Sequence, residues 1–231
     1  MRCRWLVLPL YALVWSNCWA DESRSVYLDW QSRYISEGRN NLPSGGIVWS
    51  GIDYQKDALL LFERQGIATS EDFIEFNAGI GYQHQLDDWI LTGSITRLEF
   101  FGEERCHDNE LALAIDYDAV EWLTPSLVYT HSTEAHGAFV ELTFVGNWTL
   151  NDTVAIHPYL TQSWDLGFAT EQHDGSNNLQ FGLMTDVLLS PTVLMSFHIS
   201  RSIAMTDIQY EQGDDCRQQQ TFAGIAFAYE F

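Results

Sequence analysis

Acidic side chains recur through this 231-residue chain at positions that share one phase of a two-residue alternation: Asp29, Asp53, Glu75, Asp116, Asp118, Glu141, Asp165, Asp186 and Glu230, together with Arg33, His157 and His198. If the alternating segments are strands, all of these groups project to one side of a sheet. Two roles suit such a set. A ring of carboxylates in a narrow passage raises the local concentration of cations and favours their transit. The plainer role is a wet interior in which the acids pair with Arg33, with Tyr and Thr hydroxyls and with water.

The elements that must carry these groups are legible from the opposite phase. Ile74, Phe76, Ala78, Ile80 and Tyr82 alternate with Glu75, Asn77, Gly79, Gly81 and Gln83, and Leu111, Leu113, Ile115 and Tyr117 alternate with Ala112, Ala114, Asp116 and Asp118. Val140, Leu142, Phe144 and Trp148 share a face, as do Leu179, Phe181, Leu183 and Val187. Turn signals and alternation together predict about twelve strands, starting near residues 24, 46, 57, 72, 88, 108, 124, 137, 153, 177, 192 and 219. Short turns near residues 55–57, 85–88, 150–153 and 190–191 alternate with long polar loops, as in a transmembrane up-and-down β-barrel. A soluble sandwich would place its polar residues outside. Here the polar phase is also rich in Gly and Ala, the other phase is bulky, and Tyr54, Trp89, Trp148 and Trp164 fall near strand ends as aromatic girdles do. Twelve strands allow a narrow or plugged path, and the small residues Ala112, Ala114, Gly182, Gly224, Ala226 and Ala228 favour free volume in it.

Composition agrees with an exported membrane protein. The net charge is −21, which argues against nucleic-acid binding, while the aromatic content is too high for an acidic disordered chain. Arg2 and Arg4, an apolar run and a small residue at Ala20 predict a cleaved signal peptide over residues 1–20, leaving 21–231 as a single barrel domain. Cys18 as a lipidated residue is disfavoured by Asn17 before it. Cys106 and Cys216 then remain, and in an oxidising compartment the default expectation is a disulfide. Joining two outward loops, it would strap the mouth and contribute about 4–5 kcal/mol in the chain-entropy model. The bond would gather Glu103, Glu104, Asp108 and Glu110 near Glu211, Asp214 and Asp215, where calcium or magnesium would relieve repulsion, although no loop has EF-hand spacing. His107, His136 and His173 also fall in outward loops, and no cofactor is expected. Arg97 and Arg201 fall on the outward phase, either near lipopolysaccharide phosphates or turned inward by a bulge.

The chain ends FAGIAFAYEF, with Phe231, Tyr229, Phe227 and Ile225 on one face. This resembles the closing strand of bacterial outer-membrane β-barrels, which ends in Phe and is recognised by the barrel-assembly machinery. The stretches SRYISEGRNNLPSGG, IDYQ and AIDYD resemble TorF-like putative porins. These resemblances imply an outer-membrane barrel among lipids and lipopolysaccharide, and carry over no catalytic residue. His198-Ile199-Ser200 has the His-x-Ser spacing of some outer-membrane lipid hydrolases. Phe197 and Ile199 mark the outward face, however, which leaves His198 and Ser200 inward with no evident third member, so no enzyme is expected. The expected function is a porin-like channel for small solutes or cations with an acidic lumen and a disulfide-strapped mouth. The alternative is a non-conducting surface barrel whose loops bind a partner, divalent cations or lipopolysaccharide.

Overall fold

Alternation is realised as strand throughout the wall. The computed structural model describes residues 22–102, 105–212 and 219–231. The signal peptide expected over 1–20 lies outside the described residues, as do Glu103, Glu104, Asp214, Asp215 and Cys216. The strands are β1 (Glu22–Gln31), β2 (Ile35–Ser36), β3 (Arg39–Asn40), β4 (Ile47–Lys56), β5 (Leu59–Ala68), β6 (Ile74–Leu86), β7 (Trp89–Phe101), β8 (Cys106–Tyr117), β9 (Leu123–Ser132) and β10 (Ala138–Gly146). They continue as β11 (Trp148–Asn151), β12 (Val154–Leu166), β13 (Asp174–Ser190), β14 (Val193–Ala204) and β15 (Gln220–Glu230), with one helix, α1 (Thr206–Gln212), before the last.

Twelve strands, β1, β4 to β10 and β12 to β15, pair antiparallel in chain order, and β11 continues the line of β10 beside β12. The ring closes between β1 and β15, from Ser25 opposite Glu230 to Gln31 opposite Gly224. Every wall strand begins within three residues of its sequence-predicted start. Closure removes the sheet edges, so the apolar terminal strand is paired on both sides, with β1 and with β14.

Solvent exposure runs opposite to that of a water-soluble protein. Leu113 is 63 % exposed and Ile199 57 %, whereas Glu75 and Ser202 are fully buried. A chain that turns its aliphatic side chains outward and its carboxylates inward is built for a lipid exterior and a polar interior. Its packed apolar core lies inside the ring at the end that carries the long loops, around Tyr34, Leu42, Ile47, Trp49, Leu98 and Phe100. The other end carries tight turns, two of which place Asp57 and Asp87 in the left-handed region at φ 50° and 52°. A short Asp tolerates that conformation better than a bulky residue does.

Candidate lumenal binding site

The first long loop, residues 32–46, does not project away from the barrel. It turns inward through the β2–β3 hairpin, whose two central residues, Glu37 and Gly38, both have positive φ (44° and 72°) as a type I′ turn requires. Gly38 is needed for a second reason: a Cβ there would stand 2.6 Å from Asn178 Cγ on β13. On the other side of the loop the Tyr34 hydroxyl donates to Glu75 on β6. Burial above all, with Glu75 and Glu37 close by, pushes the Tyr34 phenol well above its usual range and keeps it the donor. Strands β6 and β13 stand on opposite sides of the ring, so this loop spans the lumen.

Arg39 pins the hairpin. Its Nε donates to Glu211 at 2.9 Å, Nη1 donates to the Glu37 carbonyl at 2.9 Å and to Asn177 Oδ1 at 2.8 Å, and Nη2 donates to Thr170 at 2.8 Å and Asp207 at 3.2 Å. All five guanidinium donors are thereby engaged in one planar fork. Asp165, fully buried and 3.8 Å from Arg39, accepts the backbone N–H groups of Phe168, Ala169 and Thr170 at 2.6, 3.0 and 2.9 Å. Asp207 on α1 also pairs with His173 Nδ1 at 2.8 Å. The first loop, the β12–β13 loop and α1 are thus one ion-paired plug at the loop end.

Beneath the plug lies a cavity of about 170 Å³, roofed by Ile35 to Gly38 and walled by Tyr27, Trp49, Phe139, Phe222 and a set of charged groups, Asp29, Asp53, Arg64 and Glu141. Rings lie along the wall rather than across the space. A Cβ on Gly79 would be 2.1 Å from Phe62 Cζ, and one on Gly224 would be 2.3 Å from His198 Cε1. Arg64 stands 3.8 Å from Asp53 and lies over the rings of Tyr27 and Phe62 at 5.7 and 5.5 Å. Asp29 Oδ2 accepts from Gln31 at 2.6 Å. Four side-chain atoms on this wall are buried with no hydrogen-bond partner among the described residues: Asp29 Oδ1, Trp49 Nε1, Arg64 Nε and His198 Nε2. A smaller hollow shares Arg64 and Glu141 with the first, and there Asn77 Oδ1 and Glu110 Oε1 are likewise unpartnered.

The sequence-predicted acids divide into three sets. Asp29, Asp53 and Glu141 meet in the cavity. Glu75 and Asp165 are fully buried higher up, where Glu75 accepts from Tyr34 and from Asn77 at 2.8 Å and Asp165 belongs to the plug. Asp186 accepts from Ser196 at 2.6 Å and lies 3.5 Å from His157, while Asp116, Asp118 and Glu230 sit towards the short-turn end. Arg33 is exposed at the mouth and donates to Gln220 at 2.5 Å. The cations that meet the buried acids are Arg39 and Arg64, which the sequence reading does not single out. Arg64 had a usable signal: Leu59 and Leu61 lie outward, so the same alternation puts it inside.

A mouth constricted by a Cys106–Cys216 strap is corrected by the structure. Cys106 is a disulfide cysteine that packs beside the Tyr34 cluster, but Cys216 lies outside the described residues and no disulfide joins two described residues. What crosses the opening is the β2–β3 hairpin, held by the non-covalent bonds of Arg39. Arg97 and Arg201 stay outward with no bulge at either position; Arg97 pairs with Glu99 at 2.7 Å, and Arg201 donates to Thr221 at 2.7 Å and Gln219 at 2.6 Å. His198 and Ser200 face inward, and the Ser200 hydroxyl is bonded to Tyr159 at 2.5 Å, with the His198 ring against Phe222. Among the described residues, no group of three or more His, Cys, Asp or Glu side chains is arranged to hold a metal ion.

No family model matches the chain, and no curated protein matches it. Solved structures do. The KdgM porin in complex with disordered oligogalacturonate has a TM-score of 0.61 and 9 % identity, covering 90 % of this chain and 99 % of that one. The NanC porin has a TM-score of 0.55 and 9 % identity, covering 89 % and 98 %. An outer-membrane channel from Pseudomonas putida F1 has a TM-score of 0.54 and 10 % identity, covering 93 % and 97 %. Such identities speak to fold alone, but the likeness extends over nearly the whole of each chain. The protein therefore has the closed antiparallel fold of bacterial outer-membrane porin and channel barrels.

Proposed function

We propose that the protein is an outer-membrane, porin-like channel for small solutes or cations, with an acidic lumen and a gate formed by its own first loop. The observation that carries this reading is the acid-walled cavity under the folded-in hairpin. A barrel that was merely structural would have no need to hold Asp29, Asp53 and Glu141 around free space opposite the single charge of Arg64. Carboxylates in a confined, low-dielectric passage attract cations and repel anions. The KdgM porin is in complex with oligogalacturonate, an anion, and an anion would meet carboxylates along these walls.

In this reading the termini and short turns face the periplasm and the long loops face outward. The chain is exported through the signal peptide of residues 1–20, and Phe227, Tyr229 and Phe231 present the outward aromatic face offered to the assembly machinery. Arg97 and Arg201 lie where lipopolysaccharide phosphates would meet them. The narrower likeness to TorF-like putative porins belongs with this proposal. A second reading is favoured by the plug itself: a barrel spanned by an Arg39-pinned loop would be a closed surface barrel. Planar-bilayer recording across a salt gradient tests both. The channel reading expects discrete currents whose reversal potential shows cation preference. Anion preference, or silence from protein shown to be folded and inserted, would remove it.

A further inference from the structure

The unpaired polar atoms of the cavity define what it is built to hold. Trp49 is 3 % exposed, and its indole N–H, which can only donate, meets no acceptor. The Nε–H of Arg64 is unmet as well, although the rest of its guanidinium faces Asp53 and two rings. Next to Trp49 across the β1–β4 pairing, Asp29 offers Oδ1 as a buried acceptor. Buried groups of this kind are met by protein, by water or by a ligand that takes the water's place. A molecule bound here must accept from Trp49 and Arg64 and donate to Asp29.

Charge and size narrow the class. Asp29, Asp53 and Glu141, with Glu37 in the roof, face one arginine, so the bound molecule gains from positive charge. A cavity of about 150 Å³ can hold a benzene ring, so 170 Å³ suits one substituted six-membered ring. Tyr27, Trp49 and Phe222 are part of the lining and give the cavity apolar edges beside its charged groups. A bare metal ion would satisfy no N–H donor. An anion would satisfy the donors but meet the carboxylates of Asp29, Glu37, Asp53 and Glu141.

The geometry points to a lumenal binding site, between Asp29, Trp49 and Arg64, for a small hydroxylated organic cation of the amino-sugar type. The inference rests on solutes reaching the lumen, as the channel reading requires, but binding and conduction are read separately. The folded barrel in detergent is titrated calorimetrically with glucosamine, with its neutral counterpart glucose and with the anionic glucuronate. Glucosamine is expected to bind about tenfold or more tightly than glucose, with glucuronate weakest. Asp29→Asn, which keeps the side-chain shape, should weaken glucosamine about tenfold and bring it close to glucose. Trp49→Phe, which removes only the N–H donor and part of the ring, should weaken both sugars. Equal binding of glucosamine and glucose, unchanged glucosamine binding in Asp29→Asn, or no binding of any of the three at millimolar concentration would overturn the site. Binding without conductance would keep the site and remove the channel; conductance without binding would do the reverse.

Discussion

At the scale of single residues, Arg39 decides whether the lumen is spanned. Its side chain is only 9 % exposed and its partners Asp165 and Asp207 are fully buried. Removing the arginine leaves these buried carboxylates without their shared cation, and breaking a buried ion pair in this way costs about 3–5 kcal/mol. Arg39→Ala should therefore lower the unfolding midpoint of the detergent-folded protein and expose residues 33–46 to protease. Arg33→Ala, at an exposed position, should shift stability by less than about 0.5 kcal/mol in the same assay. If the two substitutions behaved alike, Arg39 would not be the pin. The sequence could not distinguish these two arginines. Arg33 continues the phase of β1 and so reads as inward, whereas Arg39 lies in a polar loop, 172 residues from its partner Glu211. No local spacing relates positions so far apart.

At the scale of elements, the wall was legible because its two faces meet different solvents and every strand repeats the same two-residue code. Val26, Leu28 and Trp30 on β1 and Phe227 and Tyr229 on β15 are exposed, and the residues between them point inward. The code has an energetic consequence that can be checked. Leu113→Arg puts a charge on the lipid face near the middle of β8 and should destabilise the barrel by about 2–4 kcal/mol in lipid bilayers. Arg201→Leu, near the loop end of β14, should change stability by less than about 1 kcal/mol. Denaturant titration in vesicles measures both, and equal effects would contradict the assignment of depth. The plug elements were not legible. The β2–β3 hairpin has two-residue strands and a Glu-Gly turn, without the Asn-Gly or Asp-Gly dipeptide that usually marks such a turn. At seven residues α1 is too short to show a helical period, and its place is set by Asp207 meeting Arg39 and His173.

At the scale of the whole molecule, the barrel holds two charge systems stacked along its axis. At the loop end, acids are engaged by Arg39 and by backbone N–H groups; below it, Asp29, Asp53 and Glu141 surround free space with Arg64 as their cation. In the channel proposed above, the first system closes the passage and the second selects what enters it. Cation preference should accordingly fade between about 0.1 M and 1 M salt, as the screening length falls from about 10 Å to about 3 Å, and reversal potentials recorded over that range measure the decline. Selection by pore width alone would leave the preference unchanged. The central claim, that an acid-lined conduit is gated by a loop pinned through Arg39, is tested most directly by single-channel recording of wild type and Arg39→Ala side by side. The account predicts cation-selective openings that become longer or more frequent in Arg39→Ala; folded, membrane-inserted Arg39→Ala that stays as closed as wild type would contradict it.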